Sequence, residues 1–227
     1  MTKIGTVTIG QSPRTDLVPE MEEMLNRLTE IDFEFIEKGA LDGLSFSEAQ
    51  ALKPDPQDEK LVTRMKDGRE VSVAKSAILT RMQNKIRELE ETADLIALLC
   101  SGSFPRFEAH IPLLYPHKLL FGTLQAIQIE GALGLMVPSE GQIEELSEEI
   151  PAPESSQVHA VAASPYENGN QAVKQAAQEL EKRQVDLVVM DCFGYDLQMG
   201  STVWTKTQKP VLVMRSMLVH FLSQLLS

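Results

Sequence analysis

Several things are scarce in this sequence, and each scarcity excludes a class of protein. No run approaches the roughly eighteen apolar residues of a membrane span. The first ten residues, Met1 to Gly10, carry no long apolar core and no small-residue cleavage site, and they read as a first strand. Only two cysteines occur in 227 residues, too few for a disulfide framework, so both are expected as reduced thiols of a cytoplasmic protein. Basic residues number 21 against 33 acidic ones, a net charge of −12. Such a surface repels phosphate backbones and anionic lipid, so neither nucleic acid nor membrane is an expected partner. The four histidines are isolated and show no metal-ligand spacing. No glycine-rich dinucleotide fingerprint or phosphate loop is present, so no cofactor is expected.

What remains is an ordinary globular composition, 43% hydrophobic and 24% charged. Apolar runs alternate with amphipathic stretches, which argues an α/β fold with parallel sheets. Strands are expected at Lys3–Ile9, Asp32–Glu37, Leu95–Leu99, Leu133–Val137, Val158–Ala163, Asp186–Met190 and Val211–Val213. The intervening helices are Arg14–Leu28, Ser76–Glu91, Glu140–Glu149, Tyr166–Arg183, Gln198–Lys206 and Ser216–Leu226. Ile78, Met82, Ile86 and Leu89 give the second of these one apolar face. The pattern predicts two lobes, residues 1–113 with 209–227 and residues 114–208. Residues 41–75 break the alternation with a short helix and two strands around Lys66-Asp-Gly-Arg69, a hairpin signal. This insertion reads as a dimer arm, a cover for a crevice, or plain surface decoration. A homodimer is therefore compatible with the sequence.

The two cysteines fall at equivalent places. Cys100 ends Asp94-Leu-Ile-Ala-Leu-Leu-Cys and Cys192 ends Asp186-Leu-Val-Val-Met-Asp-Cys. Each follows an apolar strand and precedes small residues and an expected helix, where ligands of open α/β sheets bind. A thiol at such a place can be tuned toward thiolate by backbone N–H groups or a nearby cation. Two thiols flanking one carbon acid form an acid/base pair, one removing a proton and the other delivering one. A cysteine outside a disulfide also often only fills core space; the matched contexts favour function.

Neighbouring loops supply candidate ligand contacts. Ser101, Gly102 and Ser103 follow the first cysteine, and Phe193, Gly194 and Tyr195 follow the second. Glycines admit a ligand to the backbone, and hydroxyl and N–H groups hold a carboxylate. Asp191, an acid at a buried strand end, needs a partner or a ligand. The loop Ile9-Gly10-Gln11-Ser12-Pro13-Arg14-Thr15-Asp16 joins a glycine, a capping serine and Pro13 at an expected first helical position. Arg14 there opposes the helix dipole, so an anion is expected beside it: substrate carboxylate, Asp16 or Glu20. Ser139, Ser164 and Tyr166 are weaker lining candidates.

Over essentially its whole length the chain resembles the AroM family. The residues that carry this are Thr8-Ile-Gly-Gln-Ser-Pro-Arg-Thr-Asp16, Lys38-Gly-Ala-Leu-Asp-Gly-Leu44, Leu98-Leu-Cys-Ser-Gly102, Ala163-Ser-Pro-Tyr166 and Met190-Asp-Cys-Phe-Gly-Tyr195. More distantly it is similar to the aspartate/glutamate racemase superfamily, which includes hydantoin racemases, maleate isomerases and arylmalonate decarboxylases. That similarity implies two similar α/β lobes with the site between them and a catalytic position after one strand of each. Cys100-Ser101 matches the first position, and Cys192-Phe193-Gly194 matches the cysteine-x-glycine form of the second. Asp191 and the 41–75 insertion depart from the pattern. The resemblance implies a cofactor-independent racemase, isomerase or decarboxylase of a small carboxylate-bearing metabolite. A non-catalytic metabolite sensor using the same cleft, and a scaffold with inert thiols, stand as alternatives.

Overall fold

The computed structural model describes residues 1–152, 157–166 and 169–226. The chain divides into two units, Met1–Pro116 with His220–Ser227 and His117–Val219. In the first unit the order is β1 (Thr2–Thr8), α1 (Val18–Leu28), β2 (Phe33–Gly39), α2 (Phe46–Gln50), β3 (Lys60–Arg64), β4 (Glu70–Ala74), α3 (Lys75–Glu90), β5 (Leu95–Leu99) and β6 (Leu113–Leu114). Four of these strands form a parallel sheet in the order β2-β1-β5-β6. Strand β5 is buried along its full length, as a strand covered on both faces must be. The apolar stripe of α3 packs as its spacing demands: Ile78, Met82, Ile86 and Leu89 have no exposed surface. Burying each is worth about 1.5–3 kcal/mol.

The expected hairpin forms, with β3 antiparallel to β4 and Leu61 opposite Val73. Its loop is one residue longer than a two-residue Asp-Gly turn. The Met65 N–H donates to Arg69 O at 2.8 Å and the Gly68 N–H to Met65 O at 2.9 Å, with Gly68 at φ +92°. That is a three-residue loop with glycine in the left-handed region, which a side chain would strain. The hairpin packs one face into the core of its own unit. Leu61, Met65, Val71 and Val73 belong to the same core cluster as Val7, Ile9, Phe104, Phe107 and Cys100. It covers the strand ends of its own unit.

From Pro116 the order continues with α4 (Pro116–Gln125), β7 (Ala132–Val137), a 3-10 turn at Glu140–Gln142, α5 (Ile143–Glu149), β8 (Gln157–Ala162), α6 (Gly169–Lys182), β9 (Leu187–Met190), α7 (Leu197–Thr207), β10 (Val211–Val213) and α8 (Met214–Leu225). Its sheet is parallel in the order β10-β9-β7-β8. The strand at 211–213 was expected in the first lobe; instead Val211, Leu212 and Val213 pair with Val188, Val189 and Met190. The reason is local. With α7 between them, β9 and β10 form one β-α-β unit, and a short crossover returns the chain beside the strand it left. Among the described residues no helix is long and apolar enough to cross a membrane.

Candidate active site

Each cysteine lies where a parallel strand ends, and the two are built alike. Cys100 directly follows β5 and is 9% exposed. Its Sγ accepts the Gly102 N–H at 3.4 Å. Cys192 lies two residues beyond β9 and is 7% exposed. Its Sγ accepts the Gly194 N–H, also at 3.4 Å. Neither is in a disulfide. In both, the chain turns back so that the N–H two residues on meets the sulfur, and a glycine supplies that N–H. A hydrogen bond donated to sulfur favours the charged form over the neutral one.

The sequence reading of a helix after Cys100 is corrected here. Residues 101–112 are irregular until β6. Phe104 and Phe107 are buried in this stretch, and the Phe107 N–H donates to the Tyr115 hydroxyl at 2.7 Å. Two apolar anchors and a tied backbone hold the loop where a helix was expected. Ser101, Gly102 and Ser103 are half-buried. The hairpin touches this loop, since a Cβ added at Gly102 would lie 3.2 Å from Leu61 Cδ2 and 3.6 Å from Cys100 Sγ.

The loop after β1 also differs from expectation. Helix α1 begins at Val18, with Pro19 in its first turn and Leu17 as cap residue. Ser12 therefore caps nothing. Its N–H and hydroxyl donate to the Asp42 carboxylate at 2.7 and 2.8 Å, which also accepts the Gly39 N–H. Arg14 lies ahead of the helix, 3% exposed. Its Nε and Nη2 bind both oxygens of Asp16 at 2.8 Å, and Nη1 donates to Thr8 Oγ1 at 2.8 Å. Asp16, one of the anions open to Arg14 in the sequence, is gripped by it through both oxygens. Gly10 fits beneath the hairpin, because a Cβ there would be 2.5 Å from Arg64 O and Thr63 Oγ1. Gln11 ties three segments: its Nε2 donates to Leu41 O and Leu44 O, and its Oε1 accepts the Lys66 N–H.

These carboxylates titrate in opposite senses. Burial alone would raise Asp16, but the hydrogen bond and charge of Arg14 outweigh it and hold the carboxyl below its ordinary value. Burial raises Glu37, against the Arg14 N–H that donates to it at 2.6 Å. A depressed carboxyl contributes stability above its unfolded pKa and loses it as pH falls through the folded one. Asp16→Asn should therefore lower stability by about 2 kcal/mol at neutral pH. The gap between the urea midpoints of parent and variant should close below about pH 4. A gap that stays constant to pH 3 would show that Asp16 contributes nothing through its charge.

In the second unit, Asp191 is 4% exposed and its N–H donates to Met136 O. Tyr195 is fully buried and gives its hydroxyl to Ala163 O at 2.7 Å. Burial foremost, then the charges of Cys192 and Asp191, push its phenol well above the usual value. Tyr195 thus keeps its proton and fastens the cysteine loop to the end of β8. Ser164 Oγ accepts the Tyr166 N–H at 3.1 Å, so it shapes the neighbouring turn. A Cβ added at Gly194 would collide with Pro165 and Tyr166.

One residue escaped the sequence reading. Arg215, in the first turn of α8 and 2% exposed, donates from Nε and Nη2 to Phe193 O at 3.0 and 2.7 Å. A cation in a helix's first turn opposes the dipole, the same conflict that singled out Arg14. That conflict was the available signal. Among the described residues no group of three or more His, Cys, Asp or Glu could hold a metal ion.

Two parallel four-stranded sheets, with matched cysteine loops after β5 and β9, define an α/β protein with the racemase-like fold. Solved structures of that fold superpose over nearly the whole chain. Allantoin racemase from Klebsiella pneumoniae matches with TM-score 0.61 and 12% identity, over 99% of this chain and 87% of that one. Glutamate racemase from Bacillus anthracis gives 0.56 and 13%, over 99% and 81%. Unliganded arylmalonate decarboxylase gives 0.56 and 14%, over 100% and 92%. The chain itself belongs to the AroM family, whose profile, described as AroM protein, matches residues 4–226. Comparison with curated proteins gave no match.

Proposed function

We propose that this protein is a cofactor-independent racemase or isomerase of a small carboxylate-bearing compound, with Cys100 and Cys192 as its acid/base pair. The observation that carries this reading is the repeated N–H···Sγ turn, formed by a glycine two residues after each cysteine. A cysteine kept only to fill space has no need of a hydrogen bond to sulfur, still less of the same one twice. The chemistry balances without a redox partner. One thiolate takes the proton from the carbon next to the carboxylate, leaving an enolate-like carbanion, and the other thiol returns a proton to the opposite face. Reversal of roles runs the reaction backward.

The carboxylate falls to Ser101, Ser103 and the N–H groups of the two cysteine loops. Gly10, Ser12 and Arg14 act behind them: Ser12 serves Asp42, Arg14 serves Asp16, and Gly10 seats the hairpin. Phe193 and Tyr195 shape the second loop through their backbone and buried ring, beside Asp191. Ser164 supports the turn against which Gly194 packs. The fold shared with racemases and with a decarboxylase is consistent with this chemistry.

The test is a thermal-shift screen of amino acids, dicarboxylates, hydantoins and shikimate-like acids, followed by exchange in deuterium oxide. A ligand that binds the folded state raises its melting temperature by mass action. Deuterium should then appear at the carbon next to the carboxylate of the stabilising compound. Binding without any incorporation would sink the enzyme reading and leave a metabolite sensor.

A further inference from the structure

The hydrogen bonds around Cys192 form a line. The carbonyl of Phe193 and the N–H of Gly194 belong to one peptide group, planar and trans in its usual form, so the two point in opposite directions. Arg215 holds the oxygen end with two donors at 3.0 and 2.7 Å. The hydrogen end meets Cys192 Sγ at 3.4 Å. A cation on the carbonyl withdraws density through the amide and makes its N–H a stronger donor, since hydrogen bonds in a chain polarise one another. We propose that Arg215 is a positioning residue for Cys192, acting through the Phe193–Gly194 peptide to steady the thiolate and fix its direction.

The geometry gives independent reasons for this. Burying a guanidinium is costly and demands a dedicated partner. Two donors of the Arg215 fork, Nε and Nη2, meet the same main-chain oxygen, an arrangement one ammonium group cannot reproduce. Gly194 cannot carry a side chain, because Pro165 and Tyr166 occupy the space, so the peptide is gripped from two sides. Among the described residues, titratable groups about this loop include Asp191 within it, Tyr195 after it, Tyr166 from the turn beyond β8, and Arg215 from α8. The Tyr195 phenol stays neutral, and Arg215 brings a cation to the loop that holds the sulfur.

This rests on the reading of Cys192 as an acid/base group, and its test needs no substrate. The chain has only two cysteines, so Cys100→Ser leaves a single thiol whose reaction with iodoacetamide is followed against pH. In that background Arg215→Met should slow alkylation at pH 7 about tenfold and move the profile to higher pH. Arg215→Lys keeps the charge but loses the fork, and should slow it about threefold with a smaller move. A profile unchanged in Arg215→Lys overturns the proposal, also where Arg215→Met fails to fold. A slower rate with an unmoved pH midpoint reports access alone and overturns it too. Failure of deuterium exchange, by contrast, would strike the proposed reaction and leave this thiolate measurement intact.

Discussion

Cys100→Ser and Cys192→Ser are each expected to abolish interconversion of mirror-image substrates, with a loss of about 10²–10⁴-fold. The pattern of what survives is as informative as the loss. On the proposed two-thiol mechanism, the thiol left in a single variant would still serve its own face of the carbon. Each single variant should therefore wash deuterium into one enantiomer only, and the two variants should choose opposite enantiomers. The double variant should exchange neither. Retention of full interconversion in either single variant would remove the two-thiol mechanism. If one thiol proved essential and the other dispensable, a one-base reaction such as decarboxylation would fit instead.

Gly39→Ala is expected to produce a large loss of stability from the addition of one methyl group. A methyl group there would sit 2.6 Å from Gly10 O, 2.7 Å from the Ser12 nitrogen and 2.6 Å from Asp42 Oδ1. Two of those atoms are backbone and cannot swing aside. Gly39 also ends β2, in register with Thr8 of β1, so relief must come from parting the strand ends or expelling the Ser12 loop. Overpacking of this kind costs about 3 kcal/mol. In a chain of this length that is a fall of roughly 6–12 °C in melting temperature. A melt within about 2 °C of the parent's by calorimetry would show that the loop gives way freely.

The strands after which the cysteines lie were legible because buried parallel strands write themselves as unbroken apolar runs, as in Leu95–Leu99 and Leu187–Met190. The face of α3 was legible for the matching reason, the 3.6-residue period. The sequence also placed both thiols at strand ends. It could not place β10, because a three-residue strand carries no mark of which sheet it joins, and only its crossover through α7 decides that. Nor could it tell a projecting hairpin from a packed one. Leu61 and Val73 look alike in either case, and the difference lies in what covers them. Arg14 stood out as a cation opposing the helix dipole and Ser12 read as a cap, yet both pair with carboxylates, one two residues away and the other thirty. Arg215 left the faintest trace, since its target is a main-chain oxygen and any residue type at position 193 would offer the same atom.

The amide of Gln11 has a consequence for motion. One side chain receives the backbone of Lys66 and gives to the carbonyls of Leu41 and Leu44, so it ties the hairpin tip, the bend after β2 and the loop after β1 to one another, beside the bonds of Ser12 to Asp42. Segments pinned this way open as one cooperative piece. Their slow-exchanging protons should be released at a common rate, and Gln11→Ala should quicken all three together rather than the nearest one alone.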